Sequence, residues 1–188
     1  MDIEIIQPNK DDIIKYDVKN FLFKMVKYCY DLDYVAEYHY DIVDLEKYYI
    51  DPENSNIYLA IDTNKQQVIA SCDIRNYDRD YKVKNRTYSK DDTASIHRMF
   101  VHPDYRHQKI GSKLIKCLEE FCIEKQYNQL YLHTYESSYG ALSFWLYNNF
   151  KITYHTHDED GTIHMEKILN HNTYNEDGNI NLKETVST

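Results

Sequence analysis

Glycine is scarce in this chain: Gly111, Gly140, Gly161 and Gly178 are the full set, and no two stand close enough to build a GxGxxG turn or a phosphate loop. Dinucleotide and nucleoside-triphosphate binding of those kinds is excluded. Cysteine is equally sparse. Cys29, Cys72, Cys117 and Cys122 include no CxxC pair, and the spacing of the last two turns them to different sides of a helix, so reduced structural thiols are expected. Long apolar runs are missing as well. Nothing approaches the ~18 residues of a membrane span, and the opening MDIEIIQPNKDD carries acids where a secretory leader needs a basic start and an apolar stretch. A cytoplasmic protein with no membrane partner is expected. Positive charge is outweighed, with 22 Lys and Arg against 31 Asp and Glu for a net charge of −9. Nucleic acids are held by basic patches, so none is expected as the main partner, and a cationic substrate fits better.

What is present is enough apolar material for one substantial core, 42% of 188 residues, and too little chain for two full domains. Ile3 to Ile6 read as a strand. Asp11-Asp12 then cap a helix that carries Ile13, Val18, Phe21, Leu22, Met25 and Val26. Ile42, Leu45 and Tyr49 recur at helical spacing until Pro52 stops the pattern. Ile57–Ile61 and Val68–Ile74 are apolar runs around a polar turn, the signature of two antiparallel strands. Residues 76–92 are polar or aromatic throughout and predict a long loop or protruding hairpin. Ala94 to His102 is a strand ended by Pro103, and Ile110, Leu114, Leu118 and Phe121 stripe the helix that follows. A strand over 129–135, an apolar helix from Ala141 and a hairpin over 150–169 complete the pattern. Strands mixed with helices in this order predict an α/β domain over residues 1–169, with a central mixed, mostly antiparallel sheet and helices on both faces. Residues 170–188 are expected to be a polar tail or an added edge strand.

The segment Met99-Phe-Val-His-Pro-Asp-Tyr-Arg-His-Gln-Lys-Ile-Gly-Ser-Lys-Leu114 runs from strand through a Pro turn into a helix. Such an entry leaves backbone N–H groups pointing outward at the positive end of the helix dipole, a seat for a pyrophosphate. Val101-x-Pro103-x-Tyr105-Arg106-x-x-x-Ile110-Gly111 resembles the acetyl-CoA signature of the GCN5-related N-acetyltransferase (GNAT) superfamily, whose core is R/Q-x-x-G-x-G/A. Lys109 stands at the first motif glycine, and His107 stands where glycine is also frequent. Ser138-x-x-Ala141-x-x-Phe144-Trp145-x-x-x-Asn149-Phe150 is similar to the family's N-x-x-A-x-x-[LF]-Y-x-x-x-G-F, with Ser138, Trp145 and Asn149 departing from it.

The resemblance implies the GNAT fold and an N-acetyltransferase that moves acetyl from acetyl-CoA to a primary amine by direct attack in a ternary complex. It also implies that Arg106, His107, Gln108, Lys109, Ile110, Gly111 and Ser112 grip the pyrophosphate, mostly through amides. The backbone of Met99, Phe100 and Val101 would meet pantetheine and polarise the acetyl carbonyl. Ser138 and Trp145 would line the pantetheine arm, with Tyr147 turned away beside Phe144 on a packing face.

A primary amine with a pKa near ~10.4 is almost wholly protonated at pH 7, so a base is wanted. Ser95 stands where many GNAT proteins have Glu, and His97 is the nearest titratable substitute on that strand face. Trp145 replaces the family's tyrosine, leaving Tyr139 or water to assist the departing thiol. The acceptor is expected to be a small cationic amine or a peptide amine, drawn by acids in 31–51 and 73–80. No metal is expected, since His155, His157 and His164 lack a ligand spacing. A catalytically silent acyl-CoA-binding or sensing module is the alternative, and a homodimer is left open.

Overall fold

The computed structural model describes residues 2–138, 140–157, 159 and 161–171; Tyr139 and residues 172–188, on which two expectations fall, lie outside them. Seven strands, β1 (Ile3–Ile6), β2 (Asn56–Asp62), β3 (Gln67–Asn76), β4 (Thr93–Val101), β5 (Gln129–Tyr135), β6 (Lys151–His155) and β7 (Thr162–Ile168), lie in the order β1-β2-β3-β4-β5-β7-β6. Only β4 and β5 run parallel; every other neighbouring pair is antiparallel. The mixed, mostly antiparallel sheet read from the sequence is the sheet that forms.

The first helical stretch differs from expectation. Its cap is Asn9, whose Oδ1 accepts from the Asp12 amide at 3.0 Å while the Asn9 amide donates to Asp12 Oδ2 at 3.1 Å. The chain then makes α1 (Lys10–Lys15), breaks at Asp17, which is left-handed at φ 47°, and resumes as α2 (Val18–Tyr30). One straight helix would set Ile13 and Val18 about 140° apart. The break lets both turn inward, and each is buried. α3 (Ala36–Val43) ends before Leu45, and Tyr49 is carried by a separate wide turn, Glu46–Ile50. Residues 77–92 make turns and no strand.

The two faces of the sheet are covered differently. α4 (Ile110–Glu124) and α5 (Ala141–Tyr147) cover one face, where Ile110, Leu114, Ile115 and Leu118 pack with Ile69, Ile96, Leu132 and Met165 from both halves of the sheet. Each fully buried leucine of that stripe contributes about 2 kcal/mol. On the other face, α1, α2, α3 and the 46–50 turn cover β1 to β4, through Leu22, Val26, Ile42, Tyr49, Ile6, Ile57, Leu59 and Phe100. The tyrosine-rich 77–92 loop covers the β5 side, with Tyr77, Val83 and Tyr88 against Tyr131. Among the described residues no helix is long and apolar enough to cross a membrane.

Candidate functional site

Where the two coverings meet, the sheet opens. β4 and β5 pair only through Thr93–Ser95 with Gln129–Tyr131. Beyond that point β4 carries a bulge: Ser71 faces Phe100, yet Asp73 faces His97, so β4 holds one residue more than β3 opposite it. Arg98 is the extra residue, in the left-handed region at φ 43°. The bulge places His97 and Arg98, neighbours in sequence, on the same face, while Ile96 and Met99 both join the core on the other.

Strand alternation settles which backbone groups face the opening. The His102 amide donates to the Ile69 carbonyl at 2.8 Å, and Phe100 faces Ser71 across the pair, so both direct their backbone at β3. Met99 and Val101 therefore turn their N–H and C=O groups to the β5 side, where no strand meets them. Arg106 Nε takes the Val101 carbonyl at 3.2 Å. Of the three residues expected to present backbone here, Phe100 is corrected: its backbone is aimed at β3 and its ring is buried against the α2 side.

The turn after β4 is anchored from below. Tyr105 is buried and donates to Asp62 Oδ2 at 2.7 Å, and Lys65 Nζ donates to the Tyr105 hydroxyl at 2.8 Å. From this anchor the chain climbs through exposed Arg106, His107, Gln108 and Lys109 into α4, whose first residues are buried Ile110 and Gly111 and half-buried Ser112. His107 and Lys109, the two non-glycine departures from the signature, have φ of 62° and 60°. The loop thus keeps the left-handed turns that glycine would make without strain. Gly111 has another reason to lack a side chain: an added Cβ would lie 2.8 Å from Phe144 Cε2 and 2.9 Å from Met99 Cε. Its smallness serves the packing of α4 on α5 and β4.

That contact also identifies Phe144 as the ring beside Met99, a position the sequence reading assigned to a packing face. Trp145 is buried in the core, edge-on to Phe144 at 5.0 Å and to Phe150 at 5.1 Å. Tyr147 does face away from Trp145, but into solvent, at 70% exposure. Ser138 lies in the turn before α5, its amide donating to the Tyr135 carbonyl at 3.0 Å.

On the face opposite α4, the parting of β4 and β5 exposes His97 on one lip and His133 on the other. His133 was missed in the sequence because nothing but strand alternation marks it. Burial, with the nearby Arg79 and His164, lowers its pKa to about 4. Burial and the guanidinium groups of Arg75, Arg79 and Arg98 push His97 well below the ordinary histidine range. Both rings are neutral near pH 7, and His97 Nε2 has no hydrogen-bond partner. Tyr81, from the 77–92 loop, sits edge-on to His133 at 5.3 Å and to His164 at 5.4 Å. Beneath lie Asp41, held by Arg98 and by the Tyr49 hydroxyl at 2.7 Å, and fully buried Asp73, whose carboxyl burial and Asp41 raise well above the usual range.

The acids expected to draw a cation are mostly engaged. Asp31 and Asp33 meet Lys27, Glu46 and Asp51 meet Lys10, Asp41 meets Arg98, and Asp78 meets Arg75. In the terminal hairpin His164 Nδ1 is 2.7 Å from the Tyr131 hydroxyl, and His155 Nε2 is 3.2 Å from Glu136 Oε1. Among the described residues no three His, Cys, Asp or Glu side chains cluster so as to hold a metal ion.

The sequence matches the model of the acetyltransferase (GNAT) family over residues 22–150, well over half of the chain. Among solved structures, a GNAT-family acetyltransferase from Staphylococcus aureus Mu50 is similar at a TM-score of 0.70 and 20% identity, over 90% of this chain and 100% of that one. The PaiA N-acetyltransferase of Thermoplasma acidophilum, solved in complex with coenzyme A, gives 0.63 at 18% identity over 89% and 99%. NAA60 of Arabidopsis thaliana, solved in complex with a bisubstrate analogue, gives 0.64 at 13% identity over 90% and 99%. No curated protein matches the sequence significantly. At these identities the structures share the fold.

Proposed function

Since this chain belongs to the acetyltransferase (GNAT) family, whose members use acetyl-CoA, we propose that it transfers acetyl to a primary amine of a small molecule or peptide by direct attack in a ternary complex. The observation that carries the reading is the parted β4–β5 pair, with N–H groups of Met99 and Val101 that no strand meets and two neutral histidines on its lips.

The residues present fit the co-substrate. The exposed turn from Arg106 to Lys109 leads its amides into a fifteen-residue helix, so several N–H groups and the helix dipole converge where a pyrophosphate would rest. The β4 edge at Met99 and Val101 offers the hydrogen-bonding that an amide-rich arm needs, and Phe144 with Met99 gives it an apolar side. Bound acetyl-CoA supplies an acetyl thioester. The Met99 and Val101 N–H groups are placed to polarise a carbonyl lying along the strand edge. A ring nitrogen of His133 takes the proton from the amine nitrogen as its bond to the acetyl carbon forms, when that nitrogen has become acidic, with His97 across the gap as its neighbour. The positive field of Arg75, Arg79 and Arg98 also disfavours the ammonium form, which raises the share of nucleophile before any base acts. Trp145 has no hydroxyl to offer the departing thiol, whose pKa near ~8.5 lets it leave with help from water. Tyr139, the protein group expected for that task, lies outside the described residues. The cytoplasm is the proposed setting, which four free thiols support.

Release of free CoA thiol on a broad panel of primary amines tests the proposal, alongside thermal unfolding with and without acetyl-CoA. Turnover above the enzyme-free rate is expected. A stabilising shift with acetyl-CoA but no turnover on any amine would replace the enzyme by a silent acyl-CoA-binding module, a reading that the lack of a hydroxyl at Trp145 favours. No shift at all would end both.

A further inference from the structure

The acceptor face of the opening has a charge imbalance that names a substrate class. Three guanidinium groups lie there, those of Arg75, Arg79 and Arg98. Arg98 is matched by Asp41, with Nε 3.0 Å from Oδ2 and Nη2 2.7 Å from Oδ1. Arg75 meets Asp78 at 3.1 Å, donates to the Tyr40 hydroxyl at 2.9 Å, and is sealed by the rings of Tyr40, Tyr48 and Tyr49 at 5.5 to 5.8 Å. Arg79 has what is left of the same carboxylate and the ring of Tyr81 at 5.9 Å. Its Nε is 3.6 Å from Asp78 Oδ1 and makes no hydrogen bond, and its Nη2 reaches His97 Nδ1 only at 3.5 Å. Asp73 offers little in compensation, because it is fully buried, and burial with Asp41 nearby pushes its carboxyl well above the usual range and disfavours its charge.

Accessibility separates the three in the same way. The side chains of Arg75 and Arg98 are 7% and 18% exposed, and that of Arg79 is 30% exposed. Arg79 also lines an open depression of about 490 Å³ under the 77–92 loop, together with Asp80, Tyr81, Lys82, Arg86 and Tyr88. Arg86 is already bound to Glu166 at 3.2 Å. Arg79 and Tyr81 belong at once to this depression and to the contacts around His97 and His133, so the depression adjoins the reaction gap.

We infer that the acceptor carries a carboxylate close to the amine that is acetylated, and that Arg79 is the specificity-determining residue that receives it. The inference rests on the acetyltransferase reading and narrows its acceptor to amino acids and amino-terminal or side-chain amines flanked by an acid. A planar carboxylate matches a guanidinium that is partly exposed and whose own ion pair is long, and it brings the negative charge that the face lacks. A polyamine would bring only further positive charge to a surface already in surplus.

Matched amines that differ by one carboxylate test this: lysine against cadaverine and tyrosine against tyramine, each followed by thiol release with acetyl-CoA. The acid-bearing member of each pair is expected to have a kcat/KM at least about tenfold higher, carried mainly by KM. Arg79→Gln should collapse that ratio to within about twofold, and Arg79→Lys should restore part of it. Cadaverine and tyramine matching or exceeding their acids would overturn the inference, as would an Arg79→Gln variant that lowers both members of a pair equally. If no amine is acetylated, calorimetry on the CoA-loaded protein decides. Binding of lysine or tyrosine to wild type but not to Arg79→Gln sustains the anion seat and sinks the acetyltransferase reading, whereas equal or absent binding sinks the seat itself.

Discussion

Arg98 grips Asp41 with two hydrogen bonds, tying the left-handed bulge of β4 to helix α3 across 57 residues of sequence. A non-glycine residue at φ 43° in a strand is strained, and the strand holds it because the side chain is clamped at its far end. The pair thereby sets where β4 leaves β5.

Asp41→Asn should destabilise the protein by about 3 kcal/mol, because it leaves Arg98 charged and largely enclosed without its partner. Urea unfolding measures this, and a loss below about 1 kcal/mol would mean that solvent screens Arg98 adequately. Burial works to raise the Asp41 carboxyl, but Arg98's hydrogen bonds and charge overrule it and hold the folded value below 3.8. The contribution of the pair is therefore full above pH 3.8 and lost as pH falls through the lower folded value.

Gly111→Ala should cost about 1–3 kcal/mol through the clash with Phe144 and Met99, and weaken acetyl-CoA binding as a consequence of the displaced ring. A sequence argument alone would place the clash against the pyrophosphate. Adding Phe144→Leu distinguishes the two. Recovery of stability in the double variant supports the packing cause, and a strictly additive loss would return the fault to the phosphate.

Lys109→Gly should change stability by less than about 1 kcal/mol, since relief at φ 60° is set against the greater freedom of glycine in the unfolded chain. Lys109→Val should cost more than that, because a branched side chain fits the left-handed region badly. The thermal shift given by acetyl-CoA should survive Lys109→Gly nearly intact. Its disappearance would make the Lys109 ammonium a principal phosphate ligand.

How much of this was legible beforehand differs by element. The α4 stripe of Ile110, Leu114, Leu118 and Phe121, the strand pairs and the terminal hairpin follow from periodicity and turn residues, and all formed as read. The entry into α4 was legible because Pro103 and Gly111 punctuate it. The break at Asp17 and the bulge at Arg98 were hidden, since a non-glycine residue in the left-handed region leaves no compositional mark. His133 looked like any alternate residue of a strand until the bulge showed which strands part. The fate of the acids in 31–51 was equally hidden, because their partners, Lys10, Lys27 and Arg98, are chosen by tertiary structure.

His133→Gln should lower kcat by about a hundredfold or more with the fold intact, as expected for loss of a positioned base. Its folded pKa of about 4 lies below the ordinary 6.5, so the unfolded chain binds a proton between those values that the folded ring refuses. Stability should therefore rise with pH from about 4 to 6.5 and level off above. Removing the ring should flatten that limb, and an unchanged limb would mean that His133 is not excluded from protonation by the fold.

Tyr147→Phe should leave kcat within about threefold of wild type, because its hydroxyl lies on the solvent side of α5, away from the gap. A loss of a hundredfold in a folded variant would require α5 to present a different face during turnover.

The three residue pairs that join β4 to β5 make the sheet two panels stitched along one short seam, and stitching has a measurable signature in amide exchange. Amides of Phe100 and His102 are bonded into the first panel and should exchange slowly. Those of Met99 and Val101 face the unstitched length and should exchange orders of magnitude faster in the free protein, as interior strand positions seldom do. Whatever molecule completes the sheet along that edge must act as a missing strand, so its arrival should be recorded as protection confined to alternate residues, a comb-like pattern that a ligand touching side chains alone would not leave.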